Sequence, residues 1–274
     1  QREIKTTKNL EDMTFRAIKV LKEADLILAE DTRTSGILLK HFEIKNVMQS
    51  HHKFNEHKTV ESVVNRIKAG ETIALISDAG TPGISDPGEE LVRQCHEAGV
   101  PLTSLPGPAA CITALTISGL ATRRFCFEAF LPSDKKEKQW ILEELKRETR
   151  TIIIYEAPHR LVRTLEELRE ALGNRRITIC RELTKRYETA FQTTFEDALA
   201  AYETEEPRGE CVIVIEGKSI GEIKEERMKS FEEMSLEEHM DLYEKQGIER
   251  KEAMRMVAKD RGISKRDVYQ QLMK

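Results

Sequence analysis

Two short charged clusters each sit at the end of an apolar run of strand type. Glu30-Asp31-Thr32-Arg33 follows Leu26-Ile27-Leu28-Ala29, and Arg181-Glu182-Leu183-Thr184-Lys185 closes the run 176–181. Carboxylates and a lysine at such places could accept or donate a proton, worth about 10²–10⁴ in rate for a well-placed group. The planar fork of an arginine suits phosphate. The same clusters also suit a salt-bridged rim where strands reach solvent, and Glu182 and Lys185 stand three apart, near enough to pair. A third stretch is a loop of small residues. After Ile73-Ala74-Leu75-Ile76 come Gly80, Pro82, Gly83, Pro87 and Gly88, three glycines and two prolines within nine residues. Ligands of open α/β sheets settle at the carboxyl ends of strands, and such a loop lets backbone approach them in a fixed shape. Ordinary strand-to-helix connections need only about 2–6 residues, so this one reads as a binding loop, with a long plain turn as the alternative.

Strand ends must hold all three. Apolar periodicity predicts one helix from Leu10 to about Lys22, a strand at 25–30, helical turns around Ser35–His41 and a helix at 58–69. A strand at 72–77, a helix at 89–98 and a short strand Pro101–Leu105 follow. A second small-residue corner, Pro106-Gly107-Pro108-Ala109-Ala110, opens another helix. The pattern then restarts with 125–131, a charged helix 133–147, a strand 151–155, a helix 158–172, a strand 176–181, a segment 187–202 and a strand 211–215. This alternation predicts an α/β protein with a mostly parallel sheet and helices on both faces. The expected division is an N-terminal α/β domain at 1–120, a second at 121–219 and a helical tail at 220–274.

Within the tail, residues 220–240 carry seven acidic and three basic residues, whereas 241–274 carry nine basic and six acidic. A helix Lys251–Lys259, a turn Arg261-Gly262-Ile263 and a helix N-capped by Ser264 resemble a helix-turn-helix unit. A helical hairpin that only packs on the body or on a second subunit reads equally well.

The 274 residues, 39% of them apolar, suffice for about two cores. Charged residues make up 34% with a net charge of only −4, so any nucleic-acid footprint must be a local patch. Five scattered cysteines without a CxxC pair argue against a disulfide framework or a structural zinc, and fit a reducing cytoplasm. No run approaches the roughly 18 apolar residues of a membrane span.

Taken in order, Asn9-Leu10-Glu11-Asp12, Ala29-Glu30-Asp31-Thr32-Arg33, Ser77-Asp78-Ala79-Gly80-Thr81-Pro82-Gly83, Pro106-Gly107-Pro108-Ala109 and Tyr155-Glu156-Ala157-Pro158-His159-Arg160 resemble the motifs of the tetrapyrrole-methylase superfamily. Within it they are similar to the branch that methylates the ribose 2′-hydroxyl of a cytidine in 16S ribosomal RNA. The resemblance implies two α/β domains with S-adenosylmethionine folded in the cleft between them and no Rossmann fingerprint; this chain indeed has no GxGxxG. It implies cofactor contacts at Asp78, Ala79, Gly80, Ala109, Ala110, Tyr155, Glu156, Leu183 and Glu210. It also implies a small ribosomal subunit as partner, no membrane, a cytoplasmic setting and a homodimer. In that chemistry Asp31 is the candidate base or orienting group and Lys185 the second candidate. Arg33 and Arg160 are candidate phosphate ligands. In His51-His52-Lys53-Phe54-Asn55-Glu56-His57 the expected use is RNA contact, with His52 and Lys53 on phosphate and Phe54 stacking on a base. No metal is expected there, since adjacent histidines point apart and methyl transfer from a sulfonium needs no Lewis acid.

One departure stands out. Family members begin with an apolar strand running into Pro-Ile-Gly-Asn, whereas residues 1–8 here read Gln-Arg-Glu-Ile-Lys-Thr-Thr-Lys, with Lys8 in the place of the glycine. This implies either a wrong start or an impaired cofactor wall. Two alternatives therefore stand beside the leading one: methylation of a tetrapyrrole carbon, and an RNA- or ribosome-binding homologue without catalysis.

Overall fold

The computed structural model describes residues 9–53 and 55–273; residues 1–8, with the atypical first segment, and Phe54 lie outside them. The chain forms two compact units. One comprises residues up to 140 together with 151–216, the other 141–150 with 217–274.

The first unit opens with a 3-10 turn, Leu10–Asp12, and helix α1, Phe15–Glu23. The single helix expected from Leu10 is thus two pieces. Asn9 caps the first through Glu11 N–H, and Thr14 caps the second through Ala17 N–H, so the backbone is extended between them. Strand β1 (Leu26–Ala29), α2 (Thr32–His41), β2 (Met48–Ser50), α3 (Glu56–Lys68), β3 (Ile73–Ile76) and α4 (Glu89–Glu97) follow. The strands form a parallel sheet in the order β2-β1-β3. Pleating sends the buried residues of β1 to opposite faces. Leu26 and Leu28 pack on Val60, Val63 and Val64 of α3 and Leu91 and Cys95 of α4. Ile27 packs on the other side with Leu21, Leu39 and Ile44. Helices on both faces are therefore found here.

Pro101–Leu105 is not a strand: it has no ladder partner among the described residues, and prolines at 101 and 106 remove two donors. Helix α5 (Ala110–Ile117), β4 (Phe125–Phe130), α6 (Lys135–Leu145), β5 (Thr151–Glu156), α7 (Pro158–Leu172), β6 (Arg176–Arg181), β7 (Thr189–Thr194), α8 (Phe195–Tyr202) and β8 (Cys211–Ile215) come next. The second sheet has the order β4-β5-β8-β6-β7, and only β4 and β5 run parallel. The expectation of a mostly parallel sheet fails here for a geometric reason. The connection 182–188 is short enough to fold β6 back on β7, whereas a parallel return needs a crossover of a dozen residues or more.

Proline at the first turn and Gly173 at the end (φ +80°) delimit α7, whose Leu161, Leu165, Leu168 and Leu172 form one buried stripe. Against the second sheet, α5 contributes Cys111, Ala114 and Leu115 to a cluster with Ile153, Cys180, Val212 and Val214.

In the second unit, α9 (Ile220–Glu233), α10 (Leu236–Glu244) and α12 (Lys265–Leu272) each start from a serine in a full capping box: Ser219, Ser235 and Ser264. With α11 (Arg250–Asp260), α10 and α12 enclose a core of Met240, Tyr243, Ala253, Val257, Ala258 and Val268. Gly262 (φ +65°) turns the chain between α11 and α12. No helix among the described residues is long and apolar enough to cross a membrane.

Candidate active site

Parallel pairing of β1 and β3 sets Ala29 beside Ile76, so the residues that follow each strand meet at one sheet edge. There, Asp31 N–H donates to Asp78 Oδ1 and Asp78 N–H donates to Glu30 Oε2, both at 3.3 Å. Three carboxylates thus gather at the carboxyl end of the sheet. The cation beside them is Arg33, whose Nε and Nη2 donate to the two oxygens of Asp31 at 3.1 and 2.7 Å. Those side-chain hydrogen bonds, with a backbone one from Arg33 N–H that caps α2, hold the Asp31 carboxyl down at about 2. The Arg33 side chain itself is 90% exposed. At the end of β2, His51 N–H donates to Ala29 O, which brings His51, His52 and the exposed Lys53 to the same edge. His51 is buried with its Nδ1 3.2 Å from Thr59 Oγ1.

The small-residue loop is tied to the second corner through one carbonyl. Thr81 Oγ1 donates to Pro108 O at 3.0 Å, and a Cβ on Gly80 (φ +81°) would lie 3.0 Å from that same oxygen. Gly88 is tighter still, since a Cβ there would meet Leu75 at 2.8 Å. Both positions need glycine for conformation and for space. Beyond Pro108, Ala109 caps α5 and Ala110 begins it; Cys111 N–H donates to Tyr155 Oη at 2.9 Å. Burial, with the Cys111 contact, pushes the Tyr155 phenol well above its ordinary value, so it stays neutral. Ala109, Tyr155 and Leu183 pack on one apolar cluster and give the site a greasy wall.

The third group closes the turn after β6. Glu182 and Thr184 adopt left-handed backbone (φ +51° and +63°), uncommon for side chains of this kind. Lys185 Nζ lies 3.0 Å from both Glu182 and Glu210, and Glu210 N–H donates to Glu182 at 2.8 Å. Burial works against the Lys185 ammonium, but its hydrogen bonds to Glu182 and Glu210 outweigh that and raise it above the usual lysine value. Lys185 is therefore held as a cation between two carboxylates.

Glu156 and Arg160 are used differently. The Glu156 carboxylate is buried and accepts from Ala157 N–H (2.8 Å), Thr164 Oγ1 (2.6 Å) and Arg160, while Arg160 also donates to Leu131 O at 3.0 Å. Sequence reasoning passed over Thr164 and Gly209. The signal for the first was the i, i+4, i+8 spacing of Glu156, Arg160 and Thr164. Gly209 (φ +77°) gave no motif, yet a Cβ there would fall 2.3 Å from Glu182 Cγ.

An acidic strand-end cluster, a glycine-walled loop and an apolar wall are thus carried by an α/β fold with one parallel sheet and one mixed one. A solved cobalt precorrin-4 methyltransferase matches with a TM-score of 0.56 at 18% identity, over 76% of this chain and 90% of its own. The tetrapyrrole (corrin/porphyrin) methylase profile matches residues 7–199, and the chain belongs to that family. Relatives named ribosomal RNA small subunit methyltransferase I are 45% identical in Halalkalibacterium halodurans, over 95% of this chain and 90% of theirs, and 44% identical in Synechocystis, over 96% and 92%. This chain is a methyltransferase.

Proposed function

We propose that this enzyme transfers a methyl group from S-adenosylmethionine to the 2′-hydroxyl of a cytidine ribose in 16S ribosomal RNA of the small subunit. The observation that supports the reading is the cluster of Glu30, Asp31 and Asp78 at the start of a loop in which Gly80 and Gly88 leave no room for a Cβ. A cation with an attached ring system fits such a place: carboxylates for charge, apolar side chains for the ring and bare backbone for close approach. Asp78, Ala79 and Gly80 would hold its polar part, and Ala109, Ala110, Tyr155 and Leu183 its ring. Bound there, the cofactor supplies an electrophilic methyl carbon.

The chain's own residues then align the hydroxyl and receive its proton. Asp31 stays ionised across the neutral range and offers acceptor oxygens once Arg33 turns from it to an RNA phosphate. Lys185 acts as a positioning cation that fixes the 182–185 turn. Lys53 and His52 add phosphate contacts at the same edge. The exposed Arg33 and Lys53 put the RNA-facing edge in solvent, and the family resemblance adds a cytoplasmic setting and a homodimer to the proposal.

Calorimetric titration with S-adenosylmethionine, followed by methyl transfer to small subunits lacking the modification, tests the reading. Micromolar binding with transfer to ribose is the expected result. Binding of Gly80→Ala should be about tenfold weaker, because its Cβ would crowd Pro108 O. Transfer to a tetrapyrrole carbon and not to RNA would overturn the substrate assignment.

A further inference from the structure

Helices α9 to α12 lie wholly beyond the family match, which ends at residue 199, and the methylase matched in fold leaves about a quarter of this chain uncovered. Their charge is polarised along the sequence. Across α9 and α10 acidic side chains dominate, while on α11 and α12 and the turn between them most acids are already engaged. Glu252 pairs with Arg255 at 2.7 Å, Asp260 accepts from Tyr243 and lies 3.5 Å from His239, and Asp267 completes the cap of Ser264. Two arginines are engaged as well: Arg250 pairs with Glu244, and Arg261 is turned inward to His239 Nδ1 and the carbonyls of Met234 and Ser235.

What these contacts leave on the surface is positive. Lys251, Lys259, Lys265 and Arg266 are all exposed, and the last three flank the 261–264 turn. One turn further along α12, Tyr269 is 52% exposed, and Met273 lies one more turn on. The opposite sides of both helices are spent on the core through Ala253, Val257, Ala258 and Val268. The outward residues therefore contribute nothing to that core, and an exposed aromatic among unshielded cations needs another account.

We infer that the outer face of α11 and α12 is an RNA-docking surface, with Lys251, Lys259, Lys265 and Arg266 on phosphates and Tyr269 against a ribose or base. Charge complementarity selects a polyanion, and the aromatic set among the cations selects a nucleic acid with accessible bases, as in folded RNA. The inference rests on the reading that ribosomal RNA is the substrate, and adds a contact surface that the matched family region does not contain.

The test uses the full chain carrying Lys251→Ala, Lys259→Ala, Lys265→Ala and Arg266→Ala together, with Tyr269→Ala as a second variant. Probes are protein-free 16S rRNA and small subunits from cells lacking the modification, bound at several salt concentrations without cofactor. Thermal melting and S-adenosylmethionine calorimetry report the fold and the catalytic unit. The fourfold variant is expected to bind rRNA at least tenfold more weakly, with the slope of log affinity against log salt reduced by about 3, since each lost phosphate contact removes roughly 0.7–0.9. Tyr269→Ala should weaken binding severalfold with the slope unchanged. Cofactor affinity should hold in both. Unaltered rRNA affinity and slope in the fourfold variant overturns the inference, and so does a loss seen on subunits but not on protein-free rRNA, which assigns the face to a ribosomal protein. Methyl transfer by the unmodified enzyme reports separately on the reading itself. Steep binding without transfer removes that reading and leaves the docking face in place.

Discussion

Arg160 Nε stands 3.1 Å from Oε1 of Glu156, a carboxylate whose side chain has no exposed surface. Because Thr164 and the Ala157 N–H occupy the remaining acceptor positions, this pair acts as a brace joining the end of β5 to the first turns of α7. Glu156→Ala should lower stability by roughly 2–3 kcal/mol, less than a fully enclosed pair because Arg160 is partly solvated. Denaturant titration checks it. An unchanged midpoint with a loss of RNA affinity would return Arg160 to the phosphate-binding role expected from its motif.

Asp31 and Glu148 supply a pH signature. Arg33 holds the first carboxyl at about 2; hydrogen bonds from the Arg150 side chain hold Glu148 at about 2 as well. Both folded values lie below the unfolded ones, so the stability they add is full above about pH 4.5 and is lost as pH falls towards 2. Denaturant midpoints measured across that window should fall less steeply in Asp31→Asn and in Glu148→Gln than in the unmodified chain.

Arg33 shields Asp31 without being buried. Arg33→Ala should let the Asp31 carboxyl climb back towards its ordinary value, still ionised at neutral pH. The expected kinetic result is a KM for RNA about tenfold higher, with kcat changed less than threefold and cofactor affinity intact. A large loss of kcat alone would place Arg33 at the reacting atoms.

Gly209 and Lys185 form one device and should fail together. Gly209→Ala would drive a Cβ into Glu182, at a cost of about 1–3 kcal/mol for a left-handed position in contact with a neighbour. Lys185→Met should weaken cofactor binding, whereas Lys185→Arg, still a cation, should keep most of it. If Lys185→Arg abolishes transfer while cofactor affinity survives, Lys185 is the proton acceptor after all.

Much of this was legible in the residues themselves. β6, β8 and α7 lie where periodicity put them, because continuous apolar runs and a leucine stripe leave few other solutions. The Ser264 cap was readable from spacing alone. Strand direction in the second sheet was not, since a buried strand has the same composition in either orientation. Pro101–Leu105 has strand composition but no partner among the described residues. At the site, the clusters Glu30–Arg33 and Glu182–Lys185 were visible as chemistry and the three-residue spacing of Glu182 and Lys185 announced their pairing, but the second contact of Lys185 to Glu210 and the two-oxygen hold of Arg33 on Asp31 were not visible. Which oxygen Arg33 or Lys185 reaches depends on rotamers and on strand register, neither of which a motif encodes.

The sheet order β4-β5-β8-β6-β7 puts the last strand to be synthesised in the middle. Until residue 215 has emerged, β5 and β6 each present an open edge of isoleucines, Ile152–Ile154 on one and Ile177 and Ile179 on the other, with nothing to bridge them. The enzyme's own birth therefore has a waiting period. Growing chains hold sticky halves apart until Cys211–Ile215 arrives to zip both ladders at once, and stalled or shortened products should be captured by chaperones or aggregate.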